Sequence, residues 1–238
     1  MILDASDMAQ ARTPAEFVAW VERKCDELSA TEEAKVFARS GALLVKKFYD
    51  EIFPLSRFVA IEYAGRNDVL VQPNLGNDNF DAHVMLGNSG ERQNVFLEVT
   101  YAKDGYDLSL RMEVLARKGY VCATGPVTRS GRKGFPDRHV SVVPFAANHL
   151  EALENYFVLV AERLRAKANV QYGKSHILIV AADDYLILSE DSDWPRFTAF
   201  ADALLPELAL DFPRVAFVGV AGRLFHSLNR VKWDRCLT

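Results

Sequence analysis

The stretch from Phe80 to Thr100 constrains the fold of this chain more than any other. Two apolar runs, FDAHVML and NVFLEVTYA, flank the glycine-containing turn GNSGERQ, a pattern that predicts a β-hairpin. Each run carries an acid where a half-buried strand usually has none. Asp81 opens the first run, and Glu98 lies late in the second. The sequence therefore predicts a sheet with a carboxylate on each of two neighbouring strands.

Strand periodicity predicts where these two acids point. Alternate residues of a strand face the same side, so Asp81 shares a face with His83, and Glu98 shares one with Phe96. Adjacent strands lie about 4.8 Å apart, so two carboxylates on one face can meet around one divalent cation. Taken singly, each acid also has a simpler explanation, because Asp is common in turns and Glu near a strand end can reach solvent.

Length and composition are those of an ordinary globular protein. The chain has 238 residues, of which 50% are hydrophobic and 25% charged. We expect one α/β domain over residues 1–238, with a helical N-terminal arm, residues 1–50, packed on the sheet. No apolar run approaches the roughly 20 residues that span a bilayer, so no membrane association is expected. Three widely spaced cysteines and the lack of a signal-peptide pattern favour a reducing, cytoplasmic location.

Local patterns predict the remaining elements. Capping signals and apolar spacing predict helices, and apolar runs predict strands. The run HILIVAA is nearly all apolar, which is typical of a strand buried on both faces and parallel to a neighbour. The predicted helices start at Pro14 and near Ser29 to Glu32 (ending about Asp50), and cover 104–118, 148–172 and 193–210. Besides the two acid-bearing strands, the predicted strands are 57–63, 140–144, 176–182, 214–220 and an edge strand at 224–228.

A basic segment follows the acid-bearing strands. The net charge of −4 gives no overall attraction to nucleic acid, so the local distribution matters more. Solvated surface explains such a segment by itself, but next to a metal site its cations could hold phosphates. We therefore take nucleic acid as the candidate partner, and the sequence also leaves a homodimer open. The candidate substrate-binding residues are Arg111, Arg129, Arg132 and Lys133.

The order of elements resembles a known family. Over roughly residues 31–182, this order resembles the core of the PD-(D/E)xK nuclease superfamily. The elements are a helix, a strand, two acid-bearing strands, an inserted helix and loop, a long helix and a buried strand. Asp81 matches the acid that opens the second core strand, and Glu98 matches the acid of Glu-x-Lys on the third. Thr100 stands where that motif has its lysine, which is a departure. The resemblance implies an α/β fold with a three-layer restriction-endonuclease-like core, in which helices flank a central mixed sheet.

The resemblance also implies a chemistry. Asp81, Glu98 and the carbonyl of Val99 would hold Mg²⁺ or Mn²⁺, and a lysine would help to position or activate water for attack on a phosphodiester of DNA or RNA. Thr100 cannot supply that positive charge. Diverged members of the family can supply it from a neighbouring helix, which makes Lys167 the first candidate and Lys103 the second.

Two other interpretations stay open at this point. Loss of the motif lysine favours a catalytically inactive nuclease-like fold that serves as a nucleic-acid- or protein-binding module, with no metal at Asp81 and Glu98. Alternatively, the chain is an unrelated α/β protein whose acid pair is incidental. In that case the two carboxylates would lie far apart or on opposite faces of the sheet.

Overall fold

A mixed β-sheet forms the middle layer of the protein. The computed structural model describes residues 2–87, 93–122, 125–132, 134–146 and 148–229. Within these residues the sheet has six strands in the order β1-β2-β3-β6-β7-β8. β1, β2 and β3 pair antiparallel, β3, β6 and β7 pair parallel, and β8 is an antiparallel edge. The strands are β1 Val69–Pro73, β2 Ala82–Leu86, β3 Gln93–Tyr101, β6 His176–Ala182, β7 Arg214–Gly219 and β8 Phe225–Asn229.

Helices cover both faces of this sheet. One apolar core joins the N-terminal helices to residues such as Val84 and Leu97, and a second core joins the C-terminal helices to Leu178 and Phe217. The predicted α/β class, with a central mixed sheet flanked by helices, is therefore confirmed. The helices are α1 Ala5–Met8, α2 Pro14–Ser29, α3 Glu32–Ala38, α4 Leu43–Lys47, α5 Phe53–Glu62, α6 Gly105–Lys118, α7 His149–Ala168 and α8 Asp193–Leu204, with a π turn at Phe48–Ile52 and a 3₁₀ turn at Leu205–Glu207.

The predicted strand at 57–63 is wrong, because this segment belongs to α5. Phe58 and Val59 are both buried while Ile61 is 46% exposed, which is helical and not alternating burial. Pro54 lies in the first turn of α5, where no backbone donor is needed. Aromatic and β-branched residues favour strands only weakly, and packing against the sheet overrides that preference. The first strand of the sheet is instead β1.

The predicted helix from about 29 to 50 is also interrupted. Thr31 caps α3 by accepting a hydrogen bond from the N–H of Ala34, and α3 ends at Ala38. Gly41 has a φ of +68°, a left-handed conformation that favours glycine, and nothing lies within 4 Å of a Cβ built on it. Gly41 therefore allows the turn that separates α3 from α4.

A small lobe is inserted between β3 and α7. It contains α6 and an antiparallel hairpin of β4, Val127–Ser130, and β5, His139–Val142. Leu110, Val114 and Val140 form its own apolar cluster. The lobe begins at Gly105, shortly after β3 ends at Tyr101.

The remaining predictions differ from the structure mainly at their boundaries. α7 ends at Ala168 and not near residue 172, and α8 ends at Leu204 and not near residue 210. The turn of the acid-bearing hairpin, residues 88–92, lies outside the described residues. Across the part of the chain that is described, none of the helices combines the length and apolarity that crossing a bilayer requires.

A pair of truncations tests the helical assignment of 53–62. A strand would place Val59 and Ile61 on one face, whereas α5 buries Val59 and exposes Ile61. We expect Val59→Ala to lower the free energy of unfolding by about 2 kcal/mol, since it leaves a cavity. Ile61→Ala should change it by less than about 0.5 kcal/mol. Denaturant unfolding measures both, and equal losses would favour the strand.

Candidate functional site

The backbone fixes Asp81 against β3. Asp81 directly precedes β2, and its N–H donates to the carbonyl of Leu97 at 2.8 Å. Its Oδ2 accepts a hydrogen bond from the N–H of Val99 at 2.7 Å. The carboxylate is thereby held beside the residue that follows Glu98.

Glu98 is buried in the same region and forms an ion pair with a lysine from another element. It is 8% exposed on β3, and the ammonium of Lys167 on α7 forms an ion pair with its Oε1. The hydroxyl of Tyr172 donates to the same oxygen at 3.5 Å, which is a long contact. Lys167, the first candidate to replace the motif lysine, therefore reaches the acid, whereas Thr100 has no cation to offer.

Burial and negative neighbours perturb the protonation of Asp81. Burial, the charge of Glu98 and the charge of Glu51 raise the pKa of Asp81 to about 7, against the opposing effects of the Val99 N–H and of Lys167. For Lys167, burial by itself would lower the pKa, but the hydrogen bond and charge of Glu98 outweigh it and raise the pKa above its ordinary value. The site thus holds a carboxyl group that titrates near neutral pH beside a fixed ammonium ion.

The donor set suits a hard divalent cation. In a β-strand the N–H and C=O of one residue point to the same edge, so the Val99 carbonyl lies on the edge of β3 that faces Asp81. Two carboxylates and one carbonyl are oxygen ligands of the kind that Mg²⁺ and Mn²⁺ take, with water and substrate phosphate completing the coordination. The residues present therefore fit the metal that the family resemblance implies, provided that Asp81 is deprotonated.

Glu51 is an acid of this region that the sequence reading missed. It lies in the π turn between α4 and α5, and its charge acts on Asp81. Lys47 forms an ion pair with Glu51 at 3.0 Å, and its ammonium also donates to the carbonyl of Gly76 at 3.4 Å. In a sequence, an i,i+4 Lys–Glu pair looks like ordinary helix surface. The π turn that holds Glu51, a feature frequent at functional sites, is visible only in the structure.

Lys103, the second lysine candidate, is not at Glu98. Its ammonium pairs with Asp50 of the π turn and lies 4.3 Å from the ring centre of Tyr101. It therefore ties the end of β3 to the N-terminal helices. Of the two candidates, only Lys167 contacts either acid of the predicted pair.

An aromatic row continues from the acid pair along the same sheet face. The rings of His83 and Phe96 are stacked with centres 5.2 Å apart, and Phe96 also stacks on His176 at 5.0 Å. His176 is 8% exposed, and neither ring nitrogen has a hydrogen-bond partner among the described residues. Burial lowers the pKa of His176, so the imidazole is neutral near pH 7. The sequence reading treated this residue only as part of a buried strand.

The predicted substrate-binding residues have different environments. The guanidinium of Arg111 donates to the carbonyls of Cys122, at 2.8 Å, and Gly125, so Arg111 holds the inserted lobe together. Arg129 and Arg132 are exposed, and their guanidinium groups lie 4.9 Å from the ring centre of Tyr106 and 5.5 Å from that of Phe135. Lys133 lies outside the described residues.

Comparison of the chain with protein-family models, with curated proteins and with solved structures gives no significant match.

The pKa of Asp81 predicts a pH-dependent stability. A carboxyl group whose pKa is raised from about 3.9 to about 7 on folding stabilises the fold below its unfolded pKa, and this contribution is lost as pH rises through 7. Between pH 4 and pH 8 we expect the ionisation of Asp81 to lower the free energy of unfolding by on the order of 2 kcal/mol, after allowance for solvent screening. Denaturant unfolding without divalent metal should therefore show that Asp81→Asn is more stabilising, relative to wild type, at pH 8 than at pH 5. An unchanged difference would contradict the shift.

Proposed function

We propose that the protein is a metal-dependent phosphodiesterase of the PD-(D/E)xK type that hydrolyses DNA or RNA with Mg²⁺ or Mn²⁺. The observation that carries this proposal is the contact between Lys167 and Glu98, next to Asp81. It combines two acids and one ammonium, the three charges that the family motif supplies, although the lysine comes from α7 and not from β3.

Strand order supports the same proposal. β1, β2 and β3 are antiparallel, β6 joins β3 in parallel, and α7 connects the two after the inserted lobe. This is the order of elements that the resemblance implies, except that the first core strand is β1 and the helix before it is α5.

Each residue then has a role in hydrolysis. Asp81, Glu98 and the Val99 carbonyl would hold the metal, which when bound would lower the pKa of a coordinated water and stabilise charge on the phosphoryl oxygens. Lys167 offsets the charge of Glu98 and lies where it can stabilise a phosphate oxygen or orient the attacking water. Because Asp81 must lose its proton to bind a cation, metal binding and cleavage should both increase as pH rises through about 7.

The inactive-module alternative makes a different prediction. It retains the fold but requires no Mg²⁺ or Mn²⁺ at Asp81 and Glu98. Thr100 at the motif lysine position supports it, and the position of Lys167 beside Glu98 argues against it.

Lysine variants test the catalytic assignment. We expect cleavage of single- and double-stranded DNA and RNA in Mg²⁺ or Mn²⁺, and none by Asp81→Ala. Lys167→Met should reduce the cleavage rate by about 100-fold or more, since it removes a preorganised charge, and Lys103→Met should reduce it by less than about threefold. Circular dichroism checks that each variant is folded.

The outcomes separate the interpretations. Equal cleavage by wild type and Asp81→Ala would reject the proposed site. No cleavage, together with no Mn²⁺ bound in a titration, would favour the inactive module. A larger loss for Lys103→Met than for Lys167→Met would overturn the role given to Lys167.

The exposed arginines of the inserted lobe test the nucleic-acid partner. Arg129→Ala with Arg132→Ala should weaken binding to an oligonucleotide about tenfold and make the plot of log affinity against log salt less steep by about two, since two phosphate contacts are lost. The exposed Arg196 on α8 is the matched control, and Arg196→Ala should have no such effect. Fluorescence anisotropy at several salt concentrations in EDTA measures both. An equal effect of the control would indicate only nonspecific attraction.

A further inference from the structure

A second group of metal-ligating side chains lies where α7 and α8 begin. His149 is the first residue of α7, Asp193 is the first residue of α8, and Glu190 precedes Asp193 by one turn of chain. One ligand atom from each of the three lies within 4.8 Å of the others. None of the three belongs to the site of Asp81 and Glu98. We propose that His149, Glu190 and Asp193 bind a transition-metal dication of the Zn²⁺ type.

The distances are close to those of a coordinated metal. Nε2 of His149 lies 3.0 Å from Oδ1 and 3.1 Å from Oδ2 of Asp193. Two ligand atoms in tetrahedral zinc coordination, with bonds of 2.0–2.2 Å, are about 3.4 Å apart. A metal can therefore replace the hydrogen between His149 and Asp193 after a shift of about 0.3–0.4 Å. Glu190 is exposed, its Oε2 accepts a hydrogen bond from the hydroxyl of Ser192 at 3.4 Å, and one of its carboxylate oxygens lies within 4.8 Å of the other two ligand atoms.

Asp193 is a buried carboxylate with one titratable cation beside it. Its side chain is 1% exposed, and no lysine or arginine among the described residues forms an ion pair with it. His149 is its only charged side-chain partner there, and the two form a hydrogen-bonded ion pair when His149 is protonated. A buried carboxylate is costly unless it is paired or coordinates a metal. A dication would balance the charges of Asp193 and Glu190 and accept the neutral imidazole as its nitrogen ligand.

The backbone around the three residues is already fixed. Asn148 caps α7 by accepting a hydrogen bond from the N–H of Leu150 at 2.9 Å. The N–H of Glu190 donates to Asp193 Oδ2 at 2.9 Å, and the N–H of Asp193 donates to the carbonyl of Glu190 at 3.0 Å. The two helices pack through aromatic side chains, including Phe157 and Phe200, whose stacked rings are 4.6 Å apart. Metal binding therefore needs little ordering of the chain, which favours affinity.

The ligand types select the metal class. Imidazole nitrogen with carboxylate oxygen suits Zn²⁺, Co²⁺ or Ni²⁺, whereas Mg²⁺ prefers oxygen ligands only. With three protein ligands, water completes a tetrahedral site. Such a site would hold together the N-terminal ends of α7 and α8.

The experiment measures metal binding by the full chain. Zn²⁺ titration by calorimetry, with excess Mg²⁺ to occupy the acid pair, should give one bound Zn²⁺ per chain. Co²⁺ should give visible absorption bands of tetrahedral coordination. His149→Ala and Glu190→Gln should each weaken Zn²⁺ binding by at least about tenfold. Zn²⁺ should raise the thermal unfolding midpoint of wild type and not that of His149→Ala.

The chain offers a matched control in His226, whose Nε2 lies 2.7 Å from Oδ1 of Asp202, with no third metal-ligating side chain grouped with them among the described residues. His226→Ala should leave Zn²⁺ binding unchanged, and so should Asp81→Asn, which alters only the other site. The proposal is overturned if wild type binds no Zn²⁺, if His149→Ala and Glu190→Gln bind it as wild type does, or if either control loses it equally. Because cleavage is not the readout, failure of the proposed nuclease activity would leave this result intact.

Discussion

The burial of Glu98 within the sheet is the constraint on which the arrangement of the site depends. A carboxylate that is 8% exposed needs a nearby cation or a proton, because a buried unpaired charge is strongly destabilising. Lys167 supplies the cation from α7. The same carboxylate contributes to the high pKa of Asp81, so one buried charge links a helix, a strand and a titrating group.

The sheet changes from antiparallel to parallel strand pairing at β3, and this change brings these groups together. On one side β3 pairs antiparallel with β2, which brings Asp81 to it, and on the other it pairs parallel with β6, which requires a crossover connection. That crossover contains α7, so Lys167 lies above the strand that carries Glu98. The inserted lobe, with its exposed arginines, occupies the same connection between β3 and α7.

Local sequence patterns predicted much of this arrangement. Alternation in FDAHVML and NVFLEVTYA predicted the two acid-bearing strands, and the apolar run HILIVAA predicted a parallel buried strand. Thr13, Pro14 and Glu16 predicted the start of α2, where the capping box is present. Where the preference was weak, the prediction was wrong. RFVAIEY has strand-forming residues but lies in α5, because its buried residues follow a helical period against the sheet.

The sequence by itself determined the class of the fold and the two strands that carry Asp81 and Glu98, whereas Lys167 became one of two lysine candidates only through the family resemblance. It could do so because strand alternation and helix capping depend on neighbouring residues. Only the tertiary structure decided that Lys167 and not Lys103 pairs with Glu98, that Glu51 lies close enough to act on Asp81, and that His149 meets Asp193. Those contacts join residues 30 to 69 positions apart, and the packing of helices on the sheet fixes them.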